Sequence, residues 1–138
     1  MRRVGSALSD NTRNPPMDLS LQRFWLTKSV PLAISRGSSS GVEHLLVKLE
    51  HNGCTGLGET GSFDTGHHRY DSDVIAAELE ALRPRLVGLG EALEAKLLRG
   101  TSCDHGNTEA SDLPSDLIAP HLADLSPPAR CGLDLALH

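Results

Sequence analysis

The side chains best suited to binding a metal or moving a proton fall in two short stretches, His67-His68 and Cys103-Asp104-His105. They belong to a complement of seven histidines and three cysteines. Zinc sites are built from ligand pairs such as Cys-x2-Cys or His-x3-His, a spacing that lets two donors from one turn reach one ion. Adjacent histidines and a single Cys-x-His have neither spacing. No metal ligand is therefore assigned, and a small metal-binding domain stands as an alternative reading. Glu59 is a lone carboxylate that matches no acid–base arrangement, because general acid–base work is done by groups placed within reach of one another and of the reacting proton. No catalytic residue is assigned.

The elements that must position these groups are more sharply written. Leu45, Val47 and Leu49 alternate with Leu46, Lys48 and Glu50, the period of a half-buried strand. Asn52-Gly53 follows, two residues that tolerate the positive φ angles of a type I′ turn, so Val42 to Glu59 reads as a β-hairpin. Its return strand carries Gly56 and Gly58, which mark a bulge or a close backbone approach. Asp18 to Lys28 reads as a preceding strand, ended by Pro31 because proline cannot donate to a ladder. Ser35 to Gly41 reads as a mobile loop, from its Gly and Ser content. The simplest sheet is a three-stranded antiparallel meander.

Beyond Glu59, residues Thr60 to Asp71 read as a loop holding Phe63, His67, His68, Arg69 and Tyr70. Ser72 is the expected N-cap of a helix whose apolar face is Ile75, Leu79, Leu82 and Leu86, with a kink or stop near Arg83 imposed by Pro84. A second amphipathic piece, Glu91 to Arg99, precedes a polar loop from Gly100 to Ser111. A short helix over Leu113 to Leu125 is expected to be broken by Pro114 and Pro120. Pro127-Pro128 opens a last helix with Leu133, Ala136 and Leu137 on its apolar side. Gly132 inside that helix is explained by close packing against another element. The fold class is α+β, a meander followed by a small helical bundle.

Composition bounds the rest. The 138 residues suffice for one domain with a modest core, and with 3% aromatic residues that core must be Leu, Val and Ala. A net charge of -5 provides no electrostatic footprint for nucleic acid or anionic membrane, and no apolar run approaches the roughly 20 residues of a spanning helix. An odd number of widely spaced cysteines argues against a disulfide framework and suits a reducing cytoplasm. Residues 1–16 hold three arginines and no apolar core, so they read as a disordered leader rather than a secretory signal, with Met17 an alternative start.

The hairpin with its Gly56-Leu57-Gly58-Glu59, the preceding Pro31-Leu32-Ala33-Ile34-Ser35-Arg36-Gly37 and the closing Ala129-Arg130-Cys131-Gly132-Leu133-Asp134-Leu135-Ala136-Leu137-His138 together resemble the N-terminal capping domain of the enolase superfamily. The nearest branch is the mandelate racemase/muconate-lactonizing group, dipeptide epimerases in particular. The resemblance covers Leu19 to His138, with poor matching between Gly90 and Pro127. It implies a capping domain over residues 17–126, and a helix over 127–138 that is truncated at the junction with a missing (β/α)8 barrel. It implies Mg²⁺-dependent proton abstraction next to a carboxylate in the full-length family, with acid, base and metal ligands on the barrel. Lys28, Lys48 and Lys96 match no Lys-x-Lys pattern, so the chain alone is expected to be inactive.

By the same resemblance two loops close over the substrate, which places Ser35, Arg36, Gly37, Ser38, Phe63, His67 and His68 as lid candidates. Arg36 would pair with a substrate carboxylate, while Glu59 is a structural and interface residue. Thr60-Gly61-Ser62-Phe63 stands where the family has a proline after Gly-x-Gly-Glu. The expected partners are the barrel, in cis or in trans, and a small carboxylate substrate such as a dipeptide. Dipeptide epimerisation comes first, and the o-succinylbenzoate synthase or muconate cycloisomerase reaction second. A stand-alone protein-interaction module is the alternative from a different class.

Overall fold

The computed structural model describes residues 16–34, 37–100 and 115–138. In chain order these form β1 (Asp18–Ile34), β2 (Gly37–His51), β3 (Cys54–Gly61), β4 (Phe63–Asp64), β5 (Arg69–Tyr70), α1 (Ser72–Ala81), α2 (Arg83–Gly100), α3 (Ser115–Leu122) and α4 (Pro127–Leu137). Strands β1, β2 and β3 make one antiparallel sheet in that order, and β4 with β5 a separate two-stranded ribbon. The architecture is the expected α+β meander with helices on one face. Most of the expected leader, Ser35, Arg36 and the Cys103-Asp104-His105 stretch lie outside the described residues.

The hairpin turn forms as its dipeptide dictates. Asn52 has φ 50° and Gly53 φ 77°, and His51 pairs with Cys54 across the two-residue loop. Register then follows side-chain parity. Leu19 faces Leu49, Leu21 faces Val47, and Leu45, Val47 and Leu49 turn their side chains into the core. Ile75, Leu79, Leu82 and Leu86, the expected helix face, are all buried against them, with Leu89 and Leu93 continuing the stripe. At roughly 1.5–3 kcal/mol for each large aliphatic side chain fully buried, these contacts dominate the drive to fold.

Several local expectations are corrected. Pro31 does not end β1. The ladder breaks between Thr27 and Leu32 and resumes with Leu32 opposite Ser39, so the missing proline donor falls in the irregular segment where no bond is needed. Much of the expected Ser35–Gly41 loop is consequently strand: Gly37 pairs with Ile34 and Ser38 with Ala33. The loop from Thr60 is likewise partly ordered, since β3 runs to Gly61 and β4–β5 follows.

Among the helices, Asp71 rather than Ser72 is the N-cap of α1, and it makes no side-chain capping bond. Pro84 separates α1 from α2 by one residue, Leu82. It sits in the first turn of α2, where its lack of an N–H costs no intrahelical bond, and α2 then runs unbroken through the expected second piece. Pro120 is accommodated inside α3, which ends two residues beyond it.

The last helix is seated directly on backbone. A Cβ placed on Gly56 would overlap the Ala136 carbonyl, one on Gly58 the Gly132 carbonyl, and one on Gly132 would meet Thr60 Cγ2 and Val47 Cγ2 at 3.0 Å. The glycines of β3 and Gly132 are therefore two sides of one close approach, with Ala129, Leu133, Ala136 and Leu137 buried around it. Ser126, at the head of α4, donates its N–H and hydroxyl to Glu78 Oε2 at 3.0 and 2.6 Å, which ties α4 to α1.

Two glycine substitutions separate this contact from ordinary helix propensity. Gly58→Ala is expected to lower stability in urea unfolding by about 1–3 kcal/mol, the cost of overpacking a close contact. Gly88, in α2 with nothing within 4 Å of a built Cβ, should do the opposite: Gly88→Ala stabilises by about 0.5–1 kcal/mol.

Candidate functional site

The sheet is longer than the helices that cover it, and the site lies where its core face emerges. Along that face the opposed pairs run Leu19–Leu49, Leu21–Val47, Arg23–Leu45 and Trp25–Glu43. The first two pairs and Leu45 belong to the core; with Arg23, Trp25 and Glu43 the same face turns polar and aromatic. The β4–β5 ribbon and the start of α1 form the opposite wall. Between them is an open cleft of about 770 Å³ lined by Trp25, Gly41, Glu43, Phe63, Arg69 and Asp73 among others.

Each wall is locally braced. Arg23 donates to Asp73 Oδ1 at 2.6 Å and to Glu43 Oε2 at 3.5 Å, so it joins β1, β2 and α1. The hydrogen bond to Asp73, reinforced by the charges of Asp73 and Glu43, holds the Arg23 guanidinium above its ordinary pKa. Trp25 is 61% exposed. Its indole lies against Gly41, where a Cβ would come within 2.5 Å of Nε1 and 2.7 Å of the Leu26 carbonyl.

The ribbon closes through its own side chains. Asp64 Oδ1 accepts the Gly66 N–H at 2.6 Å. Thr65 Oγ1 accepts from His67 and His68 N–H at 3.2 and 2.9 Å, and Thr65 N–H donates to the His68 carbonyl at 2.9 Å. Arg69 Nε donates to Asp71 at 2.9 Å. A second tether runs from β3 to α4, where Thr60 Oγ1 donates to the Pro128 carbonyl at 2.7 Å.

Of the lid candidates, Phe63 is 56% exposed in the cleft wall. Gly37, at φ 139°, and Ser38 belong to the far end of β2, while the cleft wall on that strand is made by Ser39 and Gly41 to Glu43. His67 and His68 occupy the exposed tip of the ribbon, with the His68 ring stacked on Tyr70 at 6.2 Å. Trp25, Glu43 and Asp73 were not singled out from the sequence. The available signal was strand parity, which puts Trp25 and Glu43 on the core face beyond the last apolar pair. Glu59 lies on the other face of the sheet, accepting from His44 Nδ1 at 2.7 Å.

Among the described residues no three His, Cys, Asp or Glu side chains converge as metal ligands. The described residues therefore do not fit a divalent cation, and no chemical step is derived through one. No described helix is long and apolar enough to cross a membrane.

No protein-family model and no curated protein matches the chain. Solved structures do. A mandelate racemase/muconate lactonizing protein from Herpetosiphon aurantiacus is 23% identical with a TM-score of 0.52. An enolase family member from Agrobacterium tumefaciens with homology to dipeptide epimerases, solved with sodium, L-Ala-L-Glu and an ordered loop, is 18% identical with a TM-score of 0.57. The L-Ala-D/L-Glu epimerase from Bacillus subtilis, solved with substrate, is 16% identical with a TM-score of 0.58. Each likeness covers 88% of this chain and 29% of the other. The chain thus shares the fold of a part of these structures, and spans less than a third of the length of the proteins it matches.

The tether that positions the ribbon's entry is measurable. Thr60→Val keeps the shape but leaves the Pro128 carbonyl without its hydroxyl donor, and should cost about 0.5–1.5 kcal/mol in chemical denaturation.

Proposed function

We propose that this chain is the substrate-capping domain of a Mg²⁺-dependent racemase, epimerase or cycloisomerase that abstracts a proton next to a carboxylate, with dipeptide epimerisation the favoured reaction. The observation that carries the reading is the likeness to two structures described with dipeptides, centred on a fold whose exposed cleft lies between the sheet's overhanging end and the β4–β5 ribbon. In this reading residues 17–126 form the cap and residues 127–138 the junction to the barrel, behind a leader of residues 1–16. The acid, the base and the Mg²⁺ ligands lie on a (β/α)8 barrel supplied in cis or in trans.

The cap's share of the work is physical. Enclosing the distal part of a bound dipeptide excludes water from the reacting centre and holds the substrate in register with the base, which converts binding contacts into orientation. Phe63 and Trp25 supply apolar contact area, and Ser35, Arg36, Gly37 and Ser38 are the further lid residues of this reading. His67 and His68, at the ribbon tip, would meet the barrel rim before the substrate. Such a protein works in the cytoplasm.

A chimera tests the reading. This chain replaces the matching portion of the Bacillus subtilis L-Ala-D/L-Glu epimerase, and racemisation of a dipeptide panel is followed with Mg²⁺. Turnover with a dipeptide preference different from the parent's is the expected result, and a folded chimera with the parent's preference would sink the idea. The chain by itself should show no turnover and the same melting temperature with and without Mg²⁺, because a ligand that binds the native state must raise it.

A further inference from the structure

We propose that Asn52, at the tip of the β2–β3 hairpin, is a site of spontaneous deamidation, and that the carboxylate formed there unfastens the hairpin from α2. Neither part depends on the capping reading.

Asn52 and Gly53 are both exposed, and a Cβ built on Gly53 would meet nothing within 4 Å. The Gly53 backbone nitrogen is therefore an unhindered nucleophile, tethered next to the side-chain carbonyl carbon of Asn52. Hydroxide removes the Gly53 amide proton, the nitrogen bonds to Asn52 Cγ, and Nδ2 leaves as ammonia with a proton taken from water. The product is a cyclic succinimide. Water then opens it at either carbonyl. Cleavage of the new N–Cγ bond leaves aspartate; cleavage of the original peptide C–N bond leaves isoaspartate, with the chain running through Cγ. The other asparagines, Asn11, Asn14 and Asn107, precede Thr, Pro and Thr. A branched threonine crowds the attacking nitrogen, and proline has no amide proton to lose.

The group that the reaction removes is one half of a clasp. Asn52 Nδ2 donates to Glu94 Oε1 of α2 at 2.6 Å, and His51 Nε2 reaches the same oxygen at 3.1 Å. A proton on the buried His51 Nδ1 would have no acceptor among the described residues, so the N–H is assigned to Nε2 and directed at Glu94. Two donors from the hairpin thus converge on one carboxylate oxygen. Deamidation puts a charged oxygen where the Asn52 donor stood, at hydrogen-bond distance from a second carboxylate, and attraction becomes repulsion. His51 Nε2 lies 3.3 Å from Asn52 Nδ2, but its N–H is already engaged by Glu94. Isoaspartate adds a backbone atom, which no longer fits the two-residue loop that pairs His51 with Cys54.

The purified chain is incubated in warm, mildly alkaline buffer, folded and in parallel unfolded in urea, and then digested with trypsin. Peptide 49–69 holds Asn52 as its one amide side chain, so the mass change from –NH2 to –OH in it belongs to that residue. The expected result is progressive conversion in the folded chain, faster as the buffer is made more alkaline, with aspartate and isoaspartate products separating by chromatography. An unchanged peptide from the folded chain, when the unfolded control has converted, would overturn the site. The clasp is tested by substitution, since Asp-Gly is itself a good type I′ pair and the turn survives it. Asn52→Asp should lower the Tm by about 2–5 °C, the scale of one exposed polar contact in a chain of this size. Most of that loss should vanish in the Glu94→Gln background, where an amide donor faces the new carboxylate. An unchanged Tm for Asn52→Asp, or an equal loss in both backgrounds, would overturn the unfastening from α2.

Discussion

The contact between α4 and β3 is backbone against backbone, and the remaining geometry depends on it. A helix lying over a sheet is normally held off by a layer of side chains. Here Gly56 and Gly58, two residues apart and so on the same face of β3, remove that layer, and Gly132 removes it from the helix side. With no side chains to slide over, α4 can sit in one place only, and the carbonyls of Gly132 and Ala136 fill the space the strand leaves. That seat brings Pro128 to the Thr60 hydroxyl and Ser126 to Glu78, so the exit of β3 and the flank of α1 are located by the same contact.

The position of the cleft follows from a mismatch of lengths. β2 runs for 15 residues and its apolar pairs fill only the half beneath the helices. Past Leu45 the core face meets no apolar layer among the described residues, and its side chains change from leucine and valine to arginine, glutamate and tryptophan. An exposed tryptophan beside charged residues gains little for stability. Arg23 marks the boundary: its bridge to Glu43 and Asp73 is the last element of structure and the first of the cleft wall.

Structures sharing this fold agree with the chain at 16–23% of positions. That level is compatible with a shared fold, because packing constrains residue type and size more than identity. It leaves the surface free to change. The fold is accordingly what the likeness shows.

The elements legible in the sequence were those governed by local rules. Asn52-Gly53 specified its turn because few residues accept φ above zero, Ile75, Leu79, Leu82 and Leu86 specified a buried face through their period, and Gly132 announced a close neighbour without naming it. The elements that were not legible depend on partners distant in the chain. Pro31 was misplaced as a strand end because whether a missing N–H matters is settled by the register of the opposite strand, and Ser72 was displaced as N-cap because the capping residue is chosen by the path of the chain entering α1. Trp25 read as one more strand residue. Its exposure was decided only when the helical layer stopped short of it, since burial of a side chain depends on what the folded chain lays over it.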